Sequence, residues 1–316
     1  MHSINSSIHS VTAFAPATCA NVAVGFDILG FALEDVGDYV TLEPRHDNKI
    51  IIESIVSKDS LPFSTDNNVA SFVIKKLCQD LKCDIGFSIK IKKGIPISSG
   101  MGGSSASAVA ALVAFNAFLQ TPLSLHELVQ YALLGEELVS GHQHADNIVP
   151  CMFGGLTLIH SLHPIEVIQL PIPDLYCVLV HPHLHVSTMQ ARKILKHELS
   201  LKDYVKQSAN LAACIAALYS NNIPLLKKAL TDVIIEPQRA HFVPGFYKIK
   251  QAALKSGAVG VSFSGSGPSL FALAENKHDA DEIGKIMSEQ LQNEEVTSDC
   301  WISRISNKAA HITQSS

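Results

Sequence analysis

The chain has 316 residues, 47% of them hydrophobic, and its 24 Lys and Arg against 29 Asp and Glu give a formal net charge of -5. That length and apolar content suffice for a large core and two domains, while the scattered basic residues offer no positive stripe for nucleic acid. No apolar run reaches bilayer length and the first residues lack the charged-then-apolar pattern of a signal peptide, so a cytoplasmic protein without membrane contact is expected.

In chain order, alternating or β-branched runs predict strands at Val11–Ala17, Tyr39–Pro44, Lys49–Ile55 and Phe87–Ile91. Helices are predicted around Asn68–Leu81, Ser104–Leu119 and Leu125–Ser140. A proline-punctuated stretch, His163-Pro164-Ile165 and Pro171-Ile172-Pro173, divides the chain near residue 165 into domains 1–165 and 166–316. Beyond it, strands are predicted at Leu175–His181, Gly260–Ser264, Leu270–Ala274 and Cys300–Ile305, with helical stretches between the first two and at Asp279–Leu291. Strand, helices, two strands, helix, strand is the split βαβ plan, so the fold class is α+β. Seven cysteines without a Cys-x-x-Cys pair fit reduced thiols.

The most informative stretch is Pro96-Ile97-Ser98-Ser99-Gly100-Met101-Gly102-Gly103-Ser104-Ser105-Ala106-Ser107, where a glycine-rich turn runs into an apolar helix. Glycines permit left-handed or closely approached backbone, and the free N–H groups of the helix start converge with the positive end of its dipole behind them. That arrangement binds anions, phosphate above all, although such turns also serve as plain connectors. Ser104 and Ser105 stand where the Walker-type loop carries Lys, so it is not that loop.

The third predicted helix carries a carboxylate. At 100° per residue from Leu125, Glu136 falls within the apolar stripe of Leu128, Val129, Ala132 and Leu133, whereas Glu137 turns toward Gln130. A charge on an inward face needs a partner, either a ligand or a structural Arg. His181-Pro182-His183-Leu184-His185 invites a metal reading, but Pro182 and the missing carboxylate argue against it, leaving a zinc hydrolase as a remote option.

Three segments together carry a resemblance: the glycine turn, Pro16-Ala17-Thr18-Cys19-Ala20-Asn21-Val22-Ala23-Val24-Gly25-Phe26-Asp27, and Ser262-Phe263-Ser264-Gly265-Ser266-Gly267-Pro268-Ser269. They resemble the signature set of the GHMP small-molecule kinases. Ser140-Gly141-His142-Gln143-His144-Ala145-Asp146-Asn147, Val186-Ser187-Thr188-Met189-Gln190-Ala191-Arg192 and Glu236-Pro237-Gln238-Arg239 narrow the likeness to the homoserine kinase branch, from about Val11 to about Ile305. The turn departs from the usual Gly-Leu-Gly-Ser-Ser-Ala-Ala pattern, with Gly103 in place of a Ser and Ser105 in place of an Ala.

The resemblance implies the GHMP kinase fold: an N-terminal domain like ribosomal protein S5 domain 2, a C-terminal ferredoxin-like plait, and an active site between them. It further implies ATP on residues 96–107, with Asn67 or Asn68 either bonding the base or capping a helix, and Mg²⁺ on Ser104 and Glu136. For L-homoserine it implies Asp27 with Asn21 at the ammonium, Arg192 and Arg239 at the carboxylate, Asn147 at the hydroxyl, His144 on the pocket wall and Gly265 against the substrate. Two guanidiniums on one carboxylate is sound chemistry, because each is planar and permanently charged. Asp146 and His142 read as turn or capping residues. Asn147 stands where several relatives place an Asp; an amide takes no proton, so positioning and electrostatics are expected to carry the transfer. A kinase for another small alcohol such as mevalonate, or a binding protein without catalysis, are the alternatives. Oligomeric state is left open, with a homodimer as one option.

Overall fold

The computed structural model describes residues 4, 5 and 7–316. The first half contains β1 (Val11–Ala20), β2 (Leu29–Arg45), β3 (Ile50–Val56), α1 (Val69–Leu81), β4 (Gly86–Lys92), α2 (Gly103–Asn116), α3 (Leu125–Ser140), α4 (Ile148–Phe153), β5 (Leu156–Leu162) and β6 (Ile165–Leu170). The second half contains β7 (Tyr176–Pro182), α5 (Thr188–Lys193), α6 (Leu201–Ser220), α7 (Ile223–Ala229), α8 (Glu236–Arg239), α9 (Phe246–Lys255), β8 (Gly260–Phe263), β9 (Leu270–Ala274), α10 (Lys277–Asn293), β10 (Ser298–Arg304) and β11 (His311–Ser315).

Each predicted strand is present, and β2 begins well before its predicted start. Gly37 lets β2 pass β1 so closely that a Cβ there would lie 2.3 Å from the Ala15 carbonyl. The first sheet is ordered β11-β1-β2-β4-β3, with β5 pairing β2 and β6 pairing β5. Its antiparallel pairs are broken only by β3–β4, which run parallel as the α1 crossover demands. Helix α2 is apolar all round and buried from Ser105 to Leu112 without interruption, as its position inside the helical layer requires. It stops at Asn116 rather than Leu119, because the Asn116 amide turns away to bond Leu123 N (2.8 Å) and Leu123 O (3.0 Å).

The second sheet is antiparallel in the order β10-β7-β9-β8, the split βαβ arrangement. Both its faces are covered. Along β7, Cys177 and Leu179 pack toward the first half, while Val178 and Val180 pack toward α9 and α10. Phe31 of β2 meets Phe271 of β9 edge-on at 6.3 Å between ring centres, both fully buried, and Ser303 Oγ accepts from Glu34 N at 2.8 Å.

The predicted division at residue 165 falls inside the β5–β6 hairpin. His163 and Pro164 turn that hairpin instead of joining two domains, so β6 stays with the first sheet and the second begins at Tyr176. The chain also returns: β11, exposed throughout and polar except for Ile312, pairs with β1. No helix among the described residues is long and apolar enough to cross a membrane. All seven cysteines are free. Phe271→Ala is expected to cost about 3–5 kcal/mol, measured by chemical denaturation, because it opens a cavity at the seam between the sheets; a loss under about 1 kcal/mol would mean that the seam does not hold the halves together.

Candidate active site

The glycine turn is held from both halves of the protein. Thr18 N donates to Met101 O (3.1 Å), Ser269 N to Ser99 O (3.2 Å) and Ser264 Oγ to Gly100 O (2.8 Å). Gly100 and Gly102 have φ of +78° and +70°; a Cβ on Gly100 would lie 2.4 Å from Ser264 O, and one on Gly102 2.2 Å from Thr18 Oγ1. Both positions therefore require glycine. Gly102 caps α2 without a side-chain bond, so the first N–H groups of a 14-residue helix open toward the cleft with its dipole behind them.

Beneath the turn lies a buried ion pair. Asp38, fully buried, takes Lys93 Nζ, Ser107 Oγ (2.8 Å), Gly94 N (3.0 Å) and Ile95 N (3.2 Å), and Lys93 Nζ also bonds the Gly103 carbonyl at 2.8 Å. Both partners are thus richly hydrogen-bonded, the condition under which a buried charge is tolerated.

One cavity of about 360 Å³ joins the predicted residues. Pro96 to Gly100, Gly102 to Ser104 and Ser107 line it, with Asn67, Glu136, Asn21, Asp27, His144, Asn147, Arg192, Arg239 and Gly265. Met101, Ser105 and Ala106 are exceptions: all three are buried away from the cavity, because a turn leading into a buried helix must send some of its side chains into the core. Of the two candidate serines, only Ser104 therefore faces the cavity. Asn68 caps α1, accepting from Ala70 N at 3.1 Å, and both Asn67 and Asn68 line the wall beside Leu61, Pro62 and Val69. Glu136 lies inward, its Oε1 3.7 Å from His144 Nδ1, whereas Glu137 is exposed and accepts from Gln143 Nε2.

At the far end the charges crowd. Arg192 grips Asp27 with two bonds of 3.0 and 2.5 Å. Arg239 is 2% exposed and donates to Gly265 O (3.0 Å) and Ala191 O (3.3 Å). Burial, and then the neighbouring Arg192, push its pKa down to about 10. Both guanidiniums lie over the ring of Phe26, at 5.3 and 5.4 Å. Asn21 Nδ2 donates to Gly265 O (2.8 Å) and its Oδ1 accepts Asp27 N (3.0 Å), tying the loop of one half to that of the other. Asn147 Oδ1 accepts Thr18 Oγ1 at 2.7 Å, which leaves its NH₂ for the cavity.

Family models agree with this architecture: "GHMP kinases N terminal domain" matches residues 68–155 and "GHMP kinases C terminal" residues 214–293. The homoserine kinase of Chlorobium phaeobacteroides (strain BS1) is 42% identical over 96% of this chain and 99% of that protein, and that of Chloroherpeton thalassium 43% over 96% and 99%. The crystal structure of homoserine kinase from Cytophaga hutchinsonii superposes with a TM-score of 0.93 at 38% identity, covering 98% of this chain and 99% of that one. The chain belongs to the GHMP kinases, in their homoserine kinase branch.

Four residues of this GHMP kinase site escape a reading of the linear chain. Thr18 shows only as a polar residue in an apolar strand, Phe26 as one aromatic in a motif, and Lys93 as one of three consecutive polar or small residues; long-range contacts give each its place. Asp146 stands in the expected turn, ahead of α4, but does not cap it. It is buried on the cavity wall and its pKa is pushed up to about 7, first by burial and then by Asp27 and Glu136, with His144 and Arg192 opposing. The histidine run is not a metal centre: His181 Nδ1 meets Ser269 Oγ (3.1 Å), His183 meets Thr297 and Asp299, and no metal-binding group of three exists among the described residues.

The folded protein holds the Asp146 proton to near pH 7, while an unfolded chain releases it near pH 4. Its contribution to stability is thus full below about pH 4 and lost as pH rises through about 7. Without ligands, Asp146→Asn is expected to melt above the wild type at about pH 8, with the margin narrowing as pH falls from about 7 toward 4. A margin independent of pH would show that Asp146 is ionised throughout.

Proposed function

We propose that this protein transfers the γ-phosphoryl group of ATP to the side-chain hydroxyl of L-homoserine, giving O-phospho-L-homoserine for threonine biosynthesis. The observation that carries the reading is the placement of Asp27, Arg192 and Arg239 at one end of a cavity whose middle is the glycine turn. An amino acid needs an anion for its ammonium and a fork for its carboxylate; mevalonate has no ammonium to place near Asp27. Substrate names on relatives of 40–43% identity support the same reading.

The adenine fits the end formed by Leu61, Pro62, Val69 and Asn67, and the phosphates fit the start of α2. Glu136 and Ser104 both line the cavity and both present oxygen; the Glu136 carboxylate accepts no hydrogen bond among the described residues, which suits it to a hard cation. Bound there, Mg²⁺ would neutralise the charge of the phosphates. The Asn147 NH₂ donates to the substrate hydroxyl oxygen and aims it at the phosphorus, while its Oδ1 is held by Thr18. Since an amide takes no proton and a loose transition state needs little activation of the nucleophile, catalysis rests on alignment and on the α2 N-terminus. A cytoplasmic location follows from this substrate and agrees with the absence of a candidate membrane helix among the described residues.

With MgATP, release of ADP is expected to be at least about a hundredfold faster with L-homoserine than with mevalonate, since the wrong substrate leaves charged site groups unpaired; equal rates, or turnover of mevalonate alone, would overturn the reading. Glu136→Gln is expected to lower kcat by about two orders of magnitude, and Glu137→Gln to leave it near wild type. A larger loss at Glu137 would show that the wrong carboxylate faces the phosphates.

A further inference from the structure

Asp27 and Arg192 are assigned to opposite ends of one zwitterion, yet in the structure they saturate each other. The two bonds of 3.0 and 2.5 Å engage both carboxylate oxygens and both terminal guanidinium nitrogens. The pair bridges the two halves, Asp27 from the loop after β1 and Arg192 from α5, and its side chains are 30% and 23% exposed, open to a solute in the cavity. Two ionisable groups without ion-pair partners flank it. Arg239 is buried without a carboxylate in ion-pair range among the described residues, and Asp146 is buried without a cation in that range.

Resting on the reading above, we propose that the Asp27–Arg192 pair is a specificity filter that stands in for the zwitterion, so that only an alcohol carrying ammonium and carboxylate together can exchange into it. A zwitterion gives Asp27 an ammonium and Arg192 a carboxylate at once, and its ends also face Asp146 and Arg239. No site charge is stranded. A ligand with a carboxylate alone that takes the fork of Arg239 and Arg192 together must draw Arg192 away, and Asp27 then loses its partner. A ligand with an ammonium alone that takes Asp27 must draw it from Arg192, which then stands beside Arg239 without a partner. Each case leaves a half-buried charge unpaired, which costs more than the single new contact returns. Arg192 is braced for the exchange: its plane rests on Phe26, and its Nε, buried without a partner, takes no part in the grip on Asp27.

Two truncated analogues test this: 4-hydroxybutanoate lacks the ammonium and 3-amino-1-propanol lacks the carboxylate. Their affinities and that of L-homoserine are measured by calorimetry on the whole chain, for the wild type, Asp27→Asn and Arg192→Gln. Asn tolerates the left-handed backbone at position 27, where φ is +63°, so the loop keeps its shape. Asp27→Asn is expected to weaken L-homoserine by about tenfold or more and yet tighten 4-hydroxybutanoate by about tenfold, because Arg192 is released. Arg192→Gln is expected to do the mirror image, tightening 3-amino-1-propanol. If each variant leaves its analogue unchanged or binds it more weakly, the pair is no filter. Turnover of L-homoserine by the wild type separates this failure from failure of the proposed function: turnover with unimproved analogues sinks only the filter.

Discussion

The structure turns on one packing constraint: the backbone from Ser98 to Gly102 must pass between the two halves with no room for side chains at Gly100 and Gly102. Hydrogen bonds from Thr18 on one side and from Ser264 and Ser269 on the other hold this stretch in register. Each anchor belongs to a different part of the chain, so the turn acquires its shape only when β1, the β8–β9 loop and α2 have all assembled. The same closeness brings Asn147 against Gly102, and with it the amide against the start of α2.

Around that turn the cavity is arranged as a gradient of charge. The α2 N-terminus is positive without any basic side chain on the turn itself, and the one lysine lining the cavity, Lys93, is spent on Asp38 underneath. Its role is to hold the Gly103 carbonyl and the strand end at 93–95 in place. Negative groups gather on the other wall, where Glu136, Asp146 and Asp27 lie together and Arg192 is paired with Asp27. Arg239 is the counterweight, kept in place by two carbonyls and the face of Phe26 and therefore free to meet an anion.

The loop between β1 and β2 stores strain at this site. Asn21, Val22, Ala23 and Asp27 all have positive φ, at 70°, 43°, 60° and 63°. That conformation costs an ordinary residue about 1–2 kcal/mol. Burial of Val22, Ala23 and Val24 in the core and the two bonds of the Asn21 amide offset that cost. What the strain achieves is placement: Phe26 and Asp27 reach over from the first half to the arginines of the second.

Much of this was legible in the linear chain, where short-range chemistry dictates the outcome. Alternating or β-branched runs made β1 and β4, apolar runs made α1 and α3, and the 100° turn per residue put Glu136 inward and Glu137 outward. The backbone freedom of the glycine turn was equally plain, although an anion site and a plain connector use the same residues. The hairpin of β5 and β6 was not, because its turn residues carry the same prolines as a domain boundary, nor was β11, whose polar residues make a strand only where the edge of β1 is waiting. Asp146 and Phe26 depended wholly on tertiary structure. A carboxyl becomes a perturbed acid, and a ring the seat of two guanidiniums, only through neighbours far away in the chain: Asp27 for Asp146, Arg192 and Arg239 for Phe26. Local sequence sets backbone shape and the face on which a side chain lies, but charge coupling depends on distance in space, and that distance exists only once the two halves have closed on each other.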